Sequence, residues 1–441
     1  MKRKMKIFKL IIVCILLIQS AAAQQQLSLQ DAINTAIDKN YAVQISKNNV
    51  EIIENLANKG QAGLLPIVSA TGTVDYTNNN TKLQIVNAPD ITEIDGAESF
   101  ATRATVKAVY TVFSGGVNSN NFDKLVLNAG VSNAVGNLEV ETIVMQVISS
   151  FYNVLRTKNN LKALQETKKI STERLQKAEK RKQLSGGTKT ELFSSQVDFN
   201  KDSVNMMNAS LAYQSAQISL NQLLGVELSQ EFNYQSSNLV NSIPPYEELK
   251  TNLDKMNSSL ISARLKEQAS MLDYKIAKSA YSPRLDLNAS YAYSRSEAEG
   301  SILVFNQNTG PGIGLSLSIP IYSGGKKSNA VKNAQIQLKN SELQVKNNLQ
   351  YLNASLLIAF HDYTNSKSLV ELETKNFTIN KENFEYSKKL HDLGQITGIE
   401  FRQAQINLML NQNSLNNLTY NLKLSELEIL RLTGSLLSDI K

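Results

Sequence analysis

In 441 residues the chain has no tryptophan, two histidines, one cysteine and seven prolines. Each scarcity excludes something. The one thiol, Cys14, sits inside an apolar run near the N-terminus, between Val13 and Ile15. Past that run, disulfides, thiol nucleophiles and metal–thiolate sites are ruled out. His361 and His391 stand far apart on one helical stretch, with no metal-ligand cluster or nucleophile constellation beside either. The glycine-rich Gly310-Pro311-Gly312-Ile313-Gly314 enters a strand rather than a helix, so it is no phosphate cradle. An enzyme, a cofactor and a metal site are therefore not expected. The prolines, at 66, 89, 244, 245, 283, 311 and 320, all avoid the long helical stretches. After Ile18 no apolar run approaches the length of a membrane helix.

The N-terminus reads as an export signal, residues 1–23. Lys2, Arg3, Lys4, Lys6 and Lys9 precede apolar Leu10–Ile18, and Ser20-Ala21-Ala22-Ala23 supplies small residues for cleavage after Ala23. The formal charge of +7 belongs largely to this segment. Removing its five cations leaves 41 Lys+Arg against 39 Asp+Glu, a net +2. Basicity is thus no argument for a nucleic-acid partner.

What is present is a duplication. Ser114–Gly225 and Ser323–Gly434 register without a gap at an offset of 209. Phe113-Ser114-Gly115-Gly116 falls on Tyr322-Ser323-Gly324-Gly325; Leu184, Thr188 and Glu191 fall on Leu393, Thr397 and Glu400; Leu223-Leu224-Gly225 falls on Leu432-Thr433-Gly434. Each copy reads as a very long helix, a tight turn and a return helix, too long for a solenoid unit. Val140, Val147, Val154 and Leu161 recur every seven. Val345, Leu349, Leu352, Leu356, Ala359 and Tyr363 keep a four-three spacing, as do Leu408, Leu415, Leu418, Leu422 and Ile429. That is a coiled-coil seam. At the turns, Leu184-Ser185-Gly186-Gly187-Thr188 and Leu393-Gly394-Gln395-Ile396-Thr397-Gly398 offer glycine for positive φ, then a hydroxyl to cap the return helix.

Upstream of each long helix the period changes to two. Strands are expected over 65–77, 101–113, 284–295 and 312–322. Val68, Ala70, Gly72, Val74 and Tyr76 alternate with Ser69, Thr71, Thr73 and Asp75; Ile313, Leu315, Leu317, Ile319 and Ile321 alternate with Gly314, Ser316 and Ser318. Polar Asn78–Ser99 and Ser296–Gly310 read as the joining loops. Each strand has the length that crosses a thin bilayer when tilted, and Tyr76, Tyr110, Tyr291, Tyr293 and Tyr322 offer interfacial aromatics in place of tryptophan. Helices precede the strand pairs: one from the Ser28-Leu29-Gln30-Asp31 capping box to about Gly60, another from Tyr246 to Ser282. The organisation expected is a first repeat, 24–225, with its helix-turn-helix at 115–225. A linker without period, 226–245, is expected outside the helical body. A second repeat, 246–434, with its helix-turn-helix at 324–434, and a tail, 435–441, complete the chain.

A soluble antiparallel sheet lying on a helical core is the ordinary reading of such strands. Near-continuous apolar faces, the tyrosines and the export signal favour a membrane. There the sheet must close, because unpaired edge groups in lipid cost several kcal/mol each (roughly). Four strands fall below the smallest closed barrels, of about eight, so closure requires further copies of the chain.

At this point the chain resembles the TolC family of outer-membrane efflux and secretion channels. The likeness covers essentially all of the sequence after the signal. It rests on Leu27-Ser28-Leu29-Gln30-Asp31-Ala32-Ile33, on Pro320-Ile321-Tyr322-Ser323-Gly324-Gly325 where a strand feeds a long helix, on the duplication and on the paired turns. The resemblance implies an α+β membrane protein, internally duplicated and closed by trimerisation. A transmembrane β-barrel, four strands per chain, is fused to a long antiparallel α-helical coiled-coil barrel in the periplasm. It implies a passive exit duct in the outer membrane, with an inner-membrane pump of the RND or ABC type joined through a periplasmic adaptor. Glu400 falls on the family's first acidic constriction position and Gln403 on the second, which is neutral here; Glu191 is the first-copy equivalent of Glu400. Glu400 and Glu191 also read as ordinary first-turn acids favoured by the helix dipole. Ser185, Gly186, Gly187, Thr188, Gly394, Gln395, Ile396 and Thr397 match the adaptor-contacting tip, and Gly115, Gly116, Gly324 and Gly325 mark the strand-to-helix junctions. The rival class is a periplasmic coiled-coil scaffold without a channel, which accounts for the helices but not for four alternating strands at matched positions.

Overall fold

Paired glycines decide where strand gives way to helix. Gly115 and Gly116 take φ of 64° and 88°, and Gly324 and Gly325 take 59° and 82°. Two successive left-handed residues turn the chain sharply at a small steric cost that only glycine keeps low. At Gly115 a side chain is also excluded by space, since a Cβ would lie 2.2 Å from that of Ser282.

The structure, a computed structural model, describes residues 25–84, 90–184, 186–235, 243–299 and 303–437. The expected signal segment, Ser185, residues 236–242 of the linker and residues 438–441 of the tail lie outside the described residues. The fold divides into two units, each assembled from both copies.

The second unit, Val50–Asn133 and Ser262–Lys346, holds the main sheet. Strands β2 (Ile67–Leu83), β3 (Thr92–Phe113), β5 (Arg284–Ala298) and β6 (Phe305–Ser318) lie antiparallel in the order β2-β3-β5-β6. Tyr76 pairs with Phe100, and Val106 stands between Ala70 and Tyr291. Nearly every residue of β2 and β6 is exposed on both faces. The strands also run beyond the expected bounds. Asn78–Ser99 and Ser296–Gly310, expected as loops, continue the ladders through Asn78↔Glu98 to Leu83↔Thr92 and through Glu297↔Phe305. Alternation betrays a strand only where one face is apolar. Where both faces are polar, backbone pairing holds the hairpin together with side-chain contacts such as Tyr76 to Glu98 and Lys82 to Glu93, and the pattern is silent. Conversely β6 stops at Ser318, short of the expected residue 322, at the proline that cannot donate to a ladder.

The first unit comprises Met1–Asn49, Ala134–Ile261 and Asn347–Lys441. Ser28 closes a capping box with Asp31, starting α1 (Leu29–Lys39). A single helix was expected to follow. Instead the chain kinks at Asn40 (ψ 125°) before α2 (Tyr41–Leu56), and its copy kinks at Asn257 (ψ 116°) between α5 (Tyr246–Met256) and α6 (Ser258–Ser279). Each asparagine restarts the helix by accepting from a backbone N–H, that of Ala42 or Leu260. Each also donates its amide to the last turn of a return helix, at Leu223 O (2.8 Å) or Leu432 O (2.9 Å). Those return helices are α4 (Lys189–Leu224) and α8 (Gly398–Thr433), following the long α3 (Val117–Gln183) and α7 (Lys326–Asp392). The copies match in length, 67 residues for α3 and α7 and 36 for α4 and α8. Each long helix runs about 100 Å at the usual rise.

The described part of the linker does not lie outside this unit. Its β4 (Phe232–Tyr234) pairs in parallel with β1 (Gln25–Leu27), and both aromatics are buried. Tyr234 meets Phe151 edge-on at 5.9 Å in a core with Ile33, Val147 and Leu220. Alternate burial over three residues is too short a pattern to see in sequence, which is why the segment looked irregular.

Candidate functional site

The hairpin ends of the first unit are built by four helix termini. Thr188 (φ −86°, ψ 152°) and Thr397 (φ −74°, ψ 157°) hold extended backbone. Their hydroxyls accept from the N–H of Glu191 (3.1 Å) and Glu400 (3.2 Å). The two carboxylates then differ. Glu400 returns to the cap, accepting from the Thr397 N–H at 2.7 Å and its hydroxyl at 2.9 Å. These two hydrogen bonds, the backbone one foremost, hold its carboxyl below the usual range. Glu191 instead accepts from Arg181 at 3.3 Å. Gln403 is exposed and donates to Asn407 at 2.8 Å.

The turns use their glycines unequally. Gly394 is left-handed at φ 74° and its N–H closes onto His391 O at 3.0 Å, with Gln395 N–H on Leu390 O at 2.9 Å. Positive φ was expected at Gly186 and Gly187 too, but among the described glycines the left-handed set contains neither. Gly187 is needed for proximity: a Cβ there would come within 3.0 Å of the Lys182 nitrogen. Leu184 and its repeat mate Leu393 stand 83% and 72% exposed, and Ile399 is exposed beside them.

Behind the turns lies an ionic network that sequence reasoning did not single out. Arg402 on α8 makes a two-pronged contact to Asp202 on α4, 2.7 Å at each nitrogen, and donates to Gln405 at 2.9 Å. Asp198 sits between Arg402 (3.5 Å) and Arg174 of α3 (3.0 Å). Lys177 of α3 reaches Asp392 of α7 at 2.9 Å. All of these ion pairs but Arg174–Asp198 join one copy to the other. Asp198 and Asp202 lie one helical turn apart, which placed them on a common face, but nothing local named Arg402 as their partner. The ring of His391 stacks on Phe401 at 4.8 Å, and Phe384 packs on Phe401 at 5.7 Å. Burial, then Arg174, keeps the imidazole below its ordinary pKa, with Lys177 and Arg181 adding to the effect against Asp392. Between the hairpins is a cavity of about 420 Å³, lined by Arg174, Lys177, Arg181, Glu191, His391 and Asp392 among others.

The arrangement offers charge, caps and an apolar pair of tips, all set on rigid helix ends. The outer membrane efflux protein model matches residues 32–226 and again 251–435, one match per copy. The chain belongs to the outer membrane efflux protein family. It is 21% identical over 393 residues to the outer membrane protein TolC of Escherichia coli strain K12, a match spanning 86% of this chain and 76% of TolC. Its fold is similar to the CmeC outer membrane channel of Campylobacter jejuni, with a TM-score of 0.77 at 14% identity over 92% of this chain and 85% of CmeC. The outer membrane protein VceC of Vibrio cholerae gives a TM-score of 0.75 at 14% identity, over 92% and 96% of the two chains. The chain is thus an outer membrane efflux channel protein of the TolC type, and such ducts transport without catalysing a reaction.

Proposed function

We propose that the chain is one third of a homotrimeric exit duct in the outer membrane, serving a tripartite efflux or type I secretion system. The observation that carries this is the main sheet. It has two free edges, β2 and β6, and neither face of these strands is covered. In water that would leave Val68, Val74, Ile313, Leu315 and Leu317 exposed along one side, a large apolar patch of the kind that marks an interface or a membrane. In lipid it is the expected surface, provided copies of the chain close the wall. Three copies give twelve strands. Phe100, opposite Tyr76, and Tyr110 share one face of β3 with Ala104, Val106 and Ala108 between them. At ~3.3 Å per residue that interval spans roughly 33 Å of strand. At the ~40° tilt of such barrels it stands about 25 Å tall, the height of an outer-membrane apolar band between aromatic girdles.

In this reading the helices form the periplasmic wall, an inner-membrane pump of the RND or ABC type supplies the energy, and a periplasmic adaptor meets the turns from Gly186 to Thr188 and from Gly394 to Thr397. Glu400 is the first acidic ring of the mouth, Gln403 a neutral second ring, and Glu191, the first-copy equivalent of Glu400, a further acid of the constriction. The mass of the detergent-extracted protein tests closure: three chains are expected, and a stable monomer refutes it. Glu400→Ala is expected to raise single-channel conductance in planar bilayers; unchanged conductance and ion selectivity would remove Glu400 from the mouth.

A further inference from the structure

The two hairpin ends descend from one duplicated sequence but have diverged in charge. Across the matched windows 174–191 and 383–400, the first has six cations and two acids, the second two cations and three acids. Three of the six are neutralised locally: Arg174 by Asp198, Lys177 by Asp392 and Arg181 by Glu191. Lys180, Lys182 and Lys189 are exposed and have no ion-pair partner among the described residues. In sequence they bracket Leu184, which projects into solvent. At the positions matching Lys180, Lys182 and Lys189 the second copy has Lys389, His391, stacked on Phe401, and Gly398, and its exposed Lys388 and Lys389 stand among three acids, Glu385, Asp392 and Glu400.

We infer that the first hairpin end is a docking surface for an acidic patch on a periplasmic protein, and that the second hairpin end does not share this partner chemistry. The inference rests on the duct reading for the existence of a partner; the sign and location of the charge come from the residues above. Anionic lipid headgroups would also be attracted, but a lipid surface is recognised by a broader cluster, of about four to eight cations, on an amphipathic or juxtamembrane segment. Here three exposed cations flank one exposed apolar side chain at a helix end, the makings of a protein contact with an apolar anchor and a charged rim. Charge at such a rim acts chiefly on encounter and on partner choice. The consequence is that two repeats of similar backbone present unlike surfaces, so a partner can tell them apart.

The test uses the full chain in its native host, with Lys180→Glu, Lys182→Glu and Lys189→Glu combined, and Lys388→Glu with Lys389→Glu as the control at the second end. The triple variant is expected to reach the outer membrane, keep its oligomer mass and conduct in bilayers, which keeps the duct reading separate. It is expected to lose export about tenfold or more, whereas the control loses little. Suppressors of the triple variant are expected to replace Asp or Glu by Lys or a neutral residue in a periplasmic protein. Full export by the triple variant, equal loss in the control, or suppressors confined to lipid synthesis or to this chain would each overturn the inference. If the reversed chain fails to assemble, the three Lys→Gln changes are read by the same criteria.

Discussion

Asp202→Ala should loosen the second hairpin end without unfolding the chain. The Asp202 side chain is 1% exposed and Arg402 11%, so the pair is largely desolvated. Removing one member of such a pair typically costs about 3–5 kcal/mol, because the other charge stays buried without its partner. Two contacts soften the loss: Gln405 remains at 2.9 Å and Asp198 at 3.5 Å from the guanidinium. The lower bound, about 3 kcal/mol, is therefore the expected effect. Since every ~1.4 kcal/mol is tenfold, amide exchange in the first turns of α8 should rise by about two orders of magnitude where opening is at equilibrium. Hydrogen exchange read by mass spectrometry on the assembled protein, over residues 398–412, measures it. The partner change is informative: Asp202→Leu with Arg402→Met removes both charges and should exchange within about tenfold of wild type. Unchanged exchange in Asp202→Ala, or a double variant as labile as the single one, would refute the reasoning.

Glycine 434 should tolerate substitution far less than Gly324. It is left-handed at φ 69°, and an added Cβ would meet Met256 O at 2.3 Å. Gly324 is left-handed at 59° with open space around it. Gly324→Ala should cost about 1–2 kcal/mol of backbone strain and Gly434→Ala clearly more, read as a larger drop in thermal midpoint. Acid should loosen the hairpin ends through His391. Its folded pKa lies below the ordinary value of 6.5, so its contribution is present above about pH 6.5 and is lost as pH falls through the folded value. The imidazolium then faces Arg174, Lys177 and Arg181, partly offset by Asp392. Exchange at the tips should accelerate on acidification in wild type and much less in His391→Asn; equal acceleration in both would exclude the histidine. Phe193, Val197, Val204, Met207, Leu211 and Ile218 form an exposed four-three seam on α4, away from its buried Ser195, Asp202, Ala209 and Ala216. Tyr351, Ile358, Leu372, Ile379 and Tyr386 repeat by sevens on α7, also exposed. Single cysteines on the two seams, in a chain with no thiol after Cys14, should crosslink α4 to α7 between chains; crosslinking only α4 to α4 would contradict ring closure.

The long features were legible in the sequence because they repeat. A helix of 67 residues presents its period many times over, and a glycine pair feeding it leaves a mark in both copies. The features that were not legible are those fixed by one distant partner. Asn40 and Asn257 look like ordinary helix residues until Leu223 O and Leu432 O are brought within reach. The polar hairpin ends of β2–β3 and β5–β6 are strands by virtue of the backbone opposite them, not of any alternation in their side chains. Phe232 and Tyr234 read as loose linker until the core supplies Phe151.

The same distinction bears on the hairpin ends. Thr188, Thr397 and their acids announce themselves as caps, and that local role is satisfied in full at Glu400, whose carboxylate is occupied by Thr397. A cap needs any acid that can reach back, so the capping box alone cannot assign Glu400 a role at the mouth. What no local rule demands is the link between the copies through Arg402, Asp202 and Asp198, or the excess of cations over acids at the first end. Helix formation would proceed without either. Features that the fold does not require, at hairpin ends proposed to meet a partner, are where function is to be sought in a duct that carries out no chemistry.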